Sequence, residues 1–143
     1  MWNEIKTPEE LEQFLGMVHY FHDSCIKEMR YCSGAYVTEE LSMYPINDKR
    51  VLRVIIQRQF HPMSVIELHF SGLKYLRLNP VDPRYTCEIL DATMFFKDKL
   101  IYWCDMGGLS ETDVVSYDGT LICACALRWR EIAGGLGKSD YEE

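Results

Sequence analysis

The run His19-Tyr20-Phe21-His22-Asp23-Ser24-Cys25 is the densest set of side chains in this chain that could do chemistry. On a continuing helix, His19 and His22 stand three residues apart and His19 and Asp23 four. That spacing puts two imidazoles and a carboxylate on one side, as a candidate metal site. Cys25 becomes a fourth ligand only if the helix ends and the chain turns back. A competing reading is structural, because His22 also falls in the apolar stripe of Leu15, Val18 and Cys25. A histidine at such a helix end more often donates to a backbone carbonyl. His61 and His69 stand alone, and no second ligand pair of standard spacing supports the metal.

The other chemical patterns are thinner. Cys123-Ala124-Cys125 places two thiols on one strand face, in line with Leu121, Leu127 and Trp129, and reads as core; the stronger C-x-x-C spacing does not occur. Ser24 adjoins His22 and Asp23, but a triad is assembled in space, and there is no G-x-S-x-G elbow. Cys25 or Cys32 with a distant histidine is the remaining nucleophile arrangement. Gly107-Gly108 and Gly134-Gly135-x-Gly137 lack the lysine or the frame of a nucleotide loop. The acid pairs Glu9-Glu10, Glu39-Glu40 and Glu142-Glu143 read as caps and solvated faces. No catalytic residue and no cofactor follow from these patterns.

Arg128-Trp129-Arg130 is a candidate interface, an aromatic anchor flanked by guanidiniums of the kind favoured at hot spots. Strand alternation favours a plainer arrangement, with Trp129 inward and both arginines outward in cross-strand ion pairs.

The elements that must position these residues begin with a helix. Thr7-Pro8-Glu9-Glu10 is a capping box with proline at the first helical position, and both acids lie where the helix dipole favours them. Leu11, Phe14, Leu15, Val18, Phe21 and Cys25 follow at helical spacing, predicting an amphipathic helix from Pro8 to about His22. The period then changes. Strands are predicted from Cys25 to Tyr36, with a bend at Ser33-Gly34, and from Val51 to Phe60, with Leu52, Val54 and Ile56 on one face. Val65 to Phe70 and Leu73 to Leu78 are predicted strands joined by a Ser71-Gly72 hairpin turn. Tyr85 to Phe96 and Leu100 to Cys104 flank a turn at Lys97-Asp98-Lys99, and Asp118-Gly119 closes a last hairpin into Thr120 to Arg130. Thr38 to Lys49 and Asp105 to Asp113 read as loops, and the tail after Glu131 as frayed.

Together these predict a single domain over residues 1–143, α+β but mostly β. It would be an antiparallel, meander-like curved sheet or partly closed barrel with one N-terminal amphipathic helix. The size and the 48% hydrophobic content suit one core, and 13% aromatic residues suit a sheet. Fifteen basic against 22 acidic residues leave a charge of −7, which repels phosphate backbones and excludes a general nucleic-acid binder. The basic residues Lys49, Arg50, Arg53 and Arg58 are interleaved with strand residues. Met1-Trp2-Asn3-Glu4-Ile5-Lys6 has no signal-peptide pattern, and no apolar run reaches the ~20 residues that span a bilayer. A cytoplasmic protein with six reduced cysteines acting as small buried hydrophobes is expected.

With Phe21-His22-Asp23-Ser24 after a capped helix, an aromatic-rich sheet and a closing Leu127-Arg128-Trp129-Arg130 strand, the chain resembles short bacterial proteins of the domain-of-unknown-function kind. In layout it is also similar to small acidic immunity proteins that neutralise toxins. That resemblance carries no catalytic residues. It implies a non-enzymatic binding module whose acidic and aromatic surface holds a basic protein partner. The rival expectations are a metal protein or enzyme using His19, His22 and Asp23, and a small-ligand binder with a pocket in the curved sheet.

Overall fold

The computed structural model describes residues 1–140. Strand β1 (Asn3–Ile5) leads into helix α1 (Pro8–Met17) through the Thr7 cap: Glu10 N–H donates to Thr7 Oγ1 at 3.1 Å, and Glu10 Oε2 accepts from Thr7 N–H at 3.2 Å. Leu11, Phe14 and Leu15 are buried. The helix stops five residues earlier than its periodicity predicts. Val18 caps it, and His19, Tyr20 and Phe21 then take left-handed backbone angles, with φ of 52°, 54° and 63°. Such residues cost about 1 kcal/mol or more each, so tertiary contacts must hold them. Phe21 supplies one, fully buried edge-on against Phe14 and Trp103, and the Ala92 amide donates to the Tyr20 carbonyl at 2.8 Å.

The sheet runs β2 (Ser24–Cys32), β5 (Val51–Arg58), β6 (Val65–Arg77), β9 (Leu121–Glu131), β8 (Leu100–Cys104), β7 (Thr93–Lys97), all antiparallel, and β1 pairs with the second half of β9. β2 and β7 end the strand order and β1 lies beside β9 off that path, so the sheet is not closed. The core forms where Leu52, Val54, Ile56, Ile66, Leu68, Phe70, Trp129 and Leu127 meet α1 and Trp103. Among the described residues no helix is long and apolar enough to cross a membrane.

Ser71-Gly72 is not a turn. β6 runs straight through it, because β9 offers partners on both sides, Ser71 facing Ala126 and Leu73 facing Ala124. The β6–β9 register shifts only beyond it, between Leu73 and Tyr75, while Gly72 itself holds φ +60° and a Cβ there would stand 2.8 Å from the Cys125 Cβ. The inward set changes parity at this point, from Phe70 to Leu73 on β6 and from Ala124 to Leu127 on β9. Cys125 is therefore exposed, not core, whereas Cys123 is buried.

Other connections also depart from the local signals. β7 begins only at Thr93, since Asn79 to Ala92 folds as a loop held to β2 by one bridge, Ser24 with Ile89. β8 and β9 are joined not by a tight turn at Asp118-Gly119 but by helix α2 (Glu111–Ser116), with its own Ser110/Asp113 capping box inside the predicted loop. Val114 seats α2 on Cys104 and Leu121. The predicted loop 38–49 contains most of a small hairpin, β3 (Tyr36–Val37) with β4 (Met43–Tyr44). The described part of the tail is tied down: Ile132 donates to Val65, and Gln57 donates to the carbonyls of Gly135 and Gly137. Tyr141, Glu142 and Glu143, also expected to fray, lie outside the described residues.

Candidate interaction surface

The β3–β4 hairpin stands apart from the main sheet as a separate two-stranded ribbon. Isolated hairpins are marginal in water, so its shape needs local support. Tyr36 and Tyr44 stack with centroids 5.2 Å apart, and the Tyr44 hydroxyl donates to Asp48 at 2.8 Å. Thr38 and Ser42 close the tip through a backbone bond of 2.8 Å, with Leu41 in a left-handed conformation at φ 66°. The base is fastened by the Ser33 carbonyl, which accepts from the amides of Lys49 and Arg50 at 3.0 and 3.1 Å. A side chain at Gly34 would collide with Asp48, and φ there is +105°. The apolar residues of the ribbon face water: Leu41 is 85% exposed, Met43 68% and Tyr36 58%, with Val37, Ile46 and Tyr31 beside them. Glu39 and Glu40 occupy the tip, both exposed. Aromatic and apolar side chains edged by acids make a surface that loses little on docking and gains from removing water.

A second charged surface lies on the outer face of the main sheet. With Val54, Leu68 and Trp129 turned inward, Arg53, Glu67, His69, Arg128 and Arg130 turn outward. Glu67 is 1% exposed and is pinned by Arg53 Nε at 2.6 Å and by Arg130 Nε and Nη2, each at 2.9 Å. Burial alone would raise its carboxyl, but the two guanidiniums hold it below the usual carboxylate range. Trp2, just before β1, lies 4.3 Å from the guanidinium carbons of both Arg128 and Arg130 and 5.4 Å from the His69 ring. Burial, and next the Arg128 charge, lower the His69 pKa.

The sequence-predicted residues are distributed differently. Trp129 is inward, 7% exposed, and packs on Phe14 at 4.8 Å, while Arg128 and Arg130 face out, Arg130 onto Glu67 and Arg128 onto the Trp2 ring. The aromatic group displayed between the arginines is thus Trp2. Alternation around Asn3–Ile5 is too short to have exposed this in the sequence. The end of α1 separates the predicted metal ligands. His19 turns to Phe60, edge-on at 4.9 Å, whereas His22 Nδ1–H donates to the Leu90 carbonyl at 2.5 Å. Asp23 stays 3.4 Å from the other imidazole nitrogen of His22. The carbonyl of Leu90 raises the His22 pKa. Among the described residues no three His, Cys, Asp or Glu side chains form a group able to hold a metal.

Two clefts adjoin this region. One, of about 580 Å³, is lined by Asp23, Cys25, Gln59, Cys87 and Glu88; burial, and then Cys87, raises the Cys25 thiol. The other, of about 430 Å³, lies between Ile26 and Met29 of β2 and the segment Leu78 to Val81. Arg58 is buried with no carboxylate partner among the described residues, donating instead to the Pro62 and Met63 carbonyls, so it braces the loop before β6.

No protein-family model, curated protein or solved structure matches this chain.

Proposed function

We propose that the chain is a non-catalytic protein-binding module that holds a basic partner through the β3–β4 hairpin, as an immunity-type inhibitor would cover a basic toxin. The observation that supports this best is the exposed ribbon of Tyr36, Val37, Leu41, Met43 and Ile46 with Glu39 and Glu40 at its tip. Apolar side chains supply affinity once water is excluded, and the acids, backed by a net charge of −7, steer a cationic surface toward them. The test places a photo-crosslinking amino acid at Leu41 in cells that make the protein, with Glu9 on α1 as the control position. A single basic protein captured from Leu41, and lost on Glu39→Lys with Glu40→Lys, supports the reading. An adduct no stronger than the Glu9 control, or a partner of acidic charge, overturns it.

One observation favours a second reading, a small-ligand binder: the 430 Å³ cleft is walled by Ile26, Met29, Leu78, Val81 and Ile89, with Lys27, Glu28, Asn79, Asp105 and Thr120 as polar groups. Quenching of added apolar dyes by Met29→Trp would support that use, and its absence would remove it.

A further inference from the structure

Two thiols meet at the larger of the two clefts. Cys25 lies on β2 one residue past Ser24, which bridges Ile89, and Cys87 lies two residues before Ile89 on the facing segment. The Ile89 amide donates to the Ser24 carbonyl at 2.7 Å, and the Asp23 amide donates to the Ile89 carbonyl at 3.0 Å. Residues opposite one another in an antiparallel pair stand ~5 Å apart, and each step along a strand adds ~3.4 Å. One step of stagger sets the Cα atoms of Cys25 and Cys87 ~6 Å apart, inside the ~4.4–6.8 Å that a disulfide spans. A continued ladder would turn the two side chains to opposite faces. It does not continue, because Thr86, Cys87 and Glu88 form no strand, and both cysteines line the same cleft of about 580 Å³. Burial, and next the Cys87 thiol, raise the Cys25 thiol, so the two sulfurs act on each other. The remaining thiols are placed less well. Cys104 and Cys123 are buried, and Cys32 stands seven residues along β2 from Cys25, ~23 Å away. Cys123 and Cys125 lie two residues apart on β9, where one strand holds neighbouring sulfurs too far apart to join.

We propose that Cys25 and Cys87 form an oxidation site, at which a hydroperoxide converts the two thiols into a disulfide tying the segment after β6 to β2. Cys87 is exposed and Cys25 half-buried, which assigns the order of events. The Cys87 thiolate attacks one oxygen of hydrogen peroxide and the O–O bond breaks. Cys87 becomes a sulfenic acid, and the second oxygen leaves as water once protonated. The Cys25 sulfur then attacks the Cys87 sulfur. An S–S bond forms, the S–O bond breaks, and the oxygen leaves as a second water with the Cys25 proton. Two thiols are oxidised and one peroxide is reduced. The sheet need not rearrange, because the Ser24–Ile89 bridge already holds the two segments together. Cys87 also lines the cleft of about 430 Å³, so the bond fixes a wall that both clefts share.

The experiment exposes the fully reduced full-length chain to hydrogen peroxide and measures its intact mass, followed by tryptic digestion without a reductant. The mass should fall by about 2 Da, the two hydrogens lost, and the peptides of residues 7–27 and 85–97 should be recovered joined through Cys25 and Cys87. Cys87→Ser should abolish the mass loss. Cys25→Ser should stop at the Cys87 sulfenic acid, which dimedone captures, and Cys32→Ser should change neither result. Thermal unfolding of the serine variants in the reduced state reports that the fold is retained, and the peptide map of the unaltered chain stands without them. A joined pair that includes Cys32 or Cys125, two chains linked to each other, loss of the mass shift in Cys32→Ser, or the absence of any joined peptide overturns the proposal. The crosslinking result at Leu41 is independent of all of these.

Discussion

Replacing Glu67 with glutamine tests whether the outer face is organised around its carboxylate. The substitution is nearly isosteric, so it removes charge without opening a cavity. Glu67 makes charge-assisted bonds to two guanidiniums, and such bonds contribute about 1.5–3 kcal/mol each. Arg53 and Arg130 are 37% and 41% exposed, so water screens both pairs and part of that energy returns when the arginines rehydrate. The expected loss is about 2–3 kcal/mol, or roughly 6–10 °C in Tm for a chain of this size. The acid side adds a second signature. Because the folded carboxyl titrates below its ordinary value of 4.5, the unfolded chain binds the proton first as pH falls. The stabilisation is therefore complete above about pH 4.5 and is lost as pH drops through the folded value. Urea titrations followed by tryptophan fluorescence, at about pH 7 and at steps below pH 5, measure both quantities. Glu67→Gln should lie below the wild type at neutral pH and converge on it in acid. A loss under about 1 kcal/mol with parallel pH profiles would refute the assignment of Glu67 as the organising charge.

Gly72→Ala should cost about 1–3 kcal/mol in the same urea assay, because φ is +60° and the new methyl meets Cys125 at 2.8 Å; an unchanged midpoint would mean that the strands pass without close approach. In native thiol titration, Cys32, Cys87 and Cys125 should react at once, and Cys104 and Cys123 only after unfolding. Cys104 is the slowest, with burial and the Asp105 charge pushing its thiol up to about 12; rapid labelling of either buried thiol would contradict the packing. His69 should titrate below 6.5 by NMR, since burial and Arg128 disfavour its cation, and its contribution to stability should be present above 6.5 and fall as pH drops through that value. A midpoint at or above 6.5 would mean that its ring is free of the Arg128 charge.

Several features were legible because their cause is local. The Thr7/Glu10 box needs only four consecutive residues, and the alternation of Leu52, Val54 and Ile56 needs only one strand with one wet face. The same logic placed Arg128 and Arg130 outward beside an inward Trp129. The candidate surfaces were not legible in this way. The hairpin residues Tyr36 to Tyr44 show no sustained period because they cover no core, and a ribbon without a buried face leaves no alternation to read.

What the sequence by itself determined is where the chain begins a helix, which face of β5 is apolar, and that the chain carries a net acidic charge. What only the tertiary structure decided is where α1 ends, whether Ser71-Gly72 turns, and which side chains share a row. Phe21 leaves the helix because Phe14 and Trp103 offer it a buried site, an energy that helical periodicity does not contain. Gly72 continues β6 because β9 has partners for both halves, although Ser-Gly alone is compatible with either turn or bulge. Arg30, Arg53, His69 and Arg128 are separated by up to 98 positions in the chain, and only antiparallel register sets them side by side. Local preference acts through neighbours in sequence, whereas burial and register act through neighbours in space, and the candidate surfaces depend on the second.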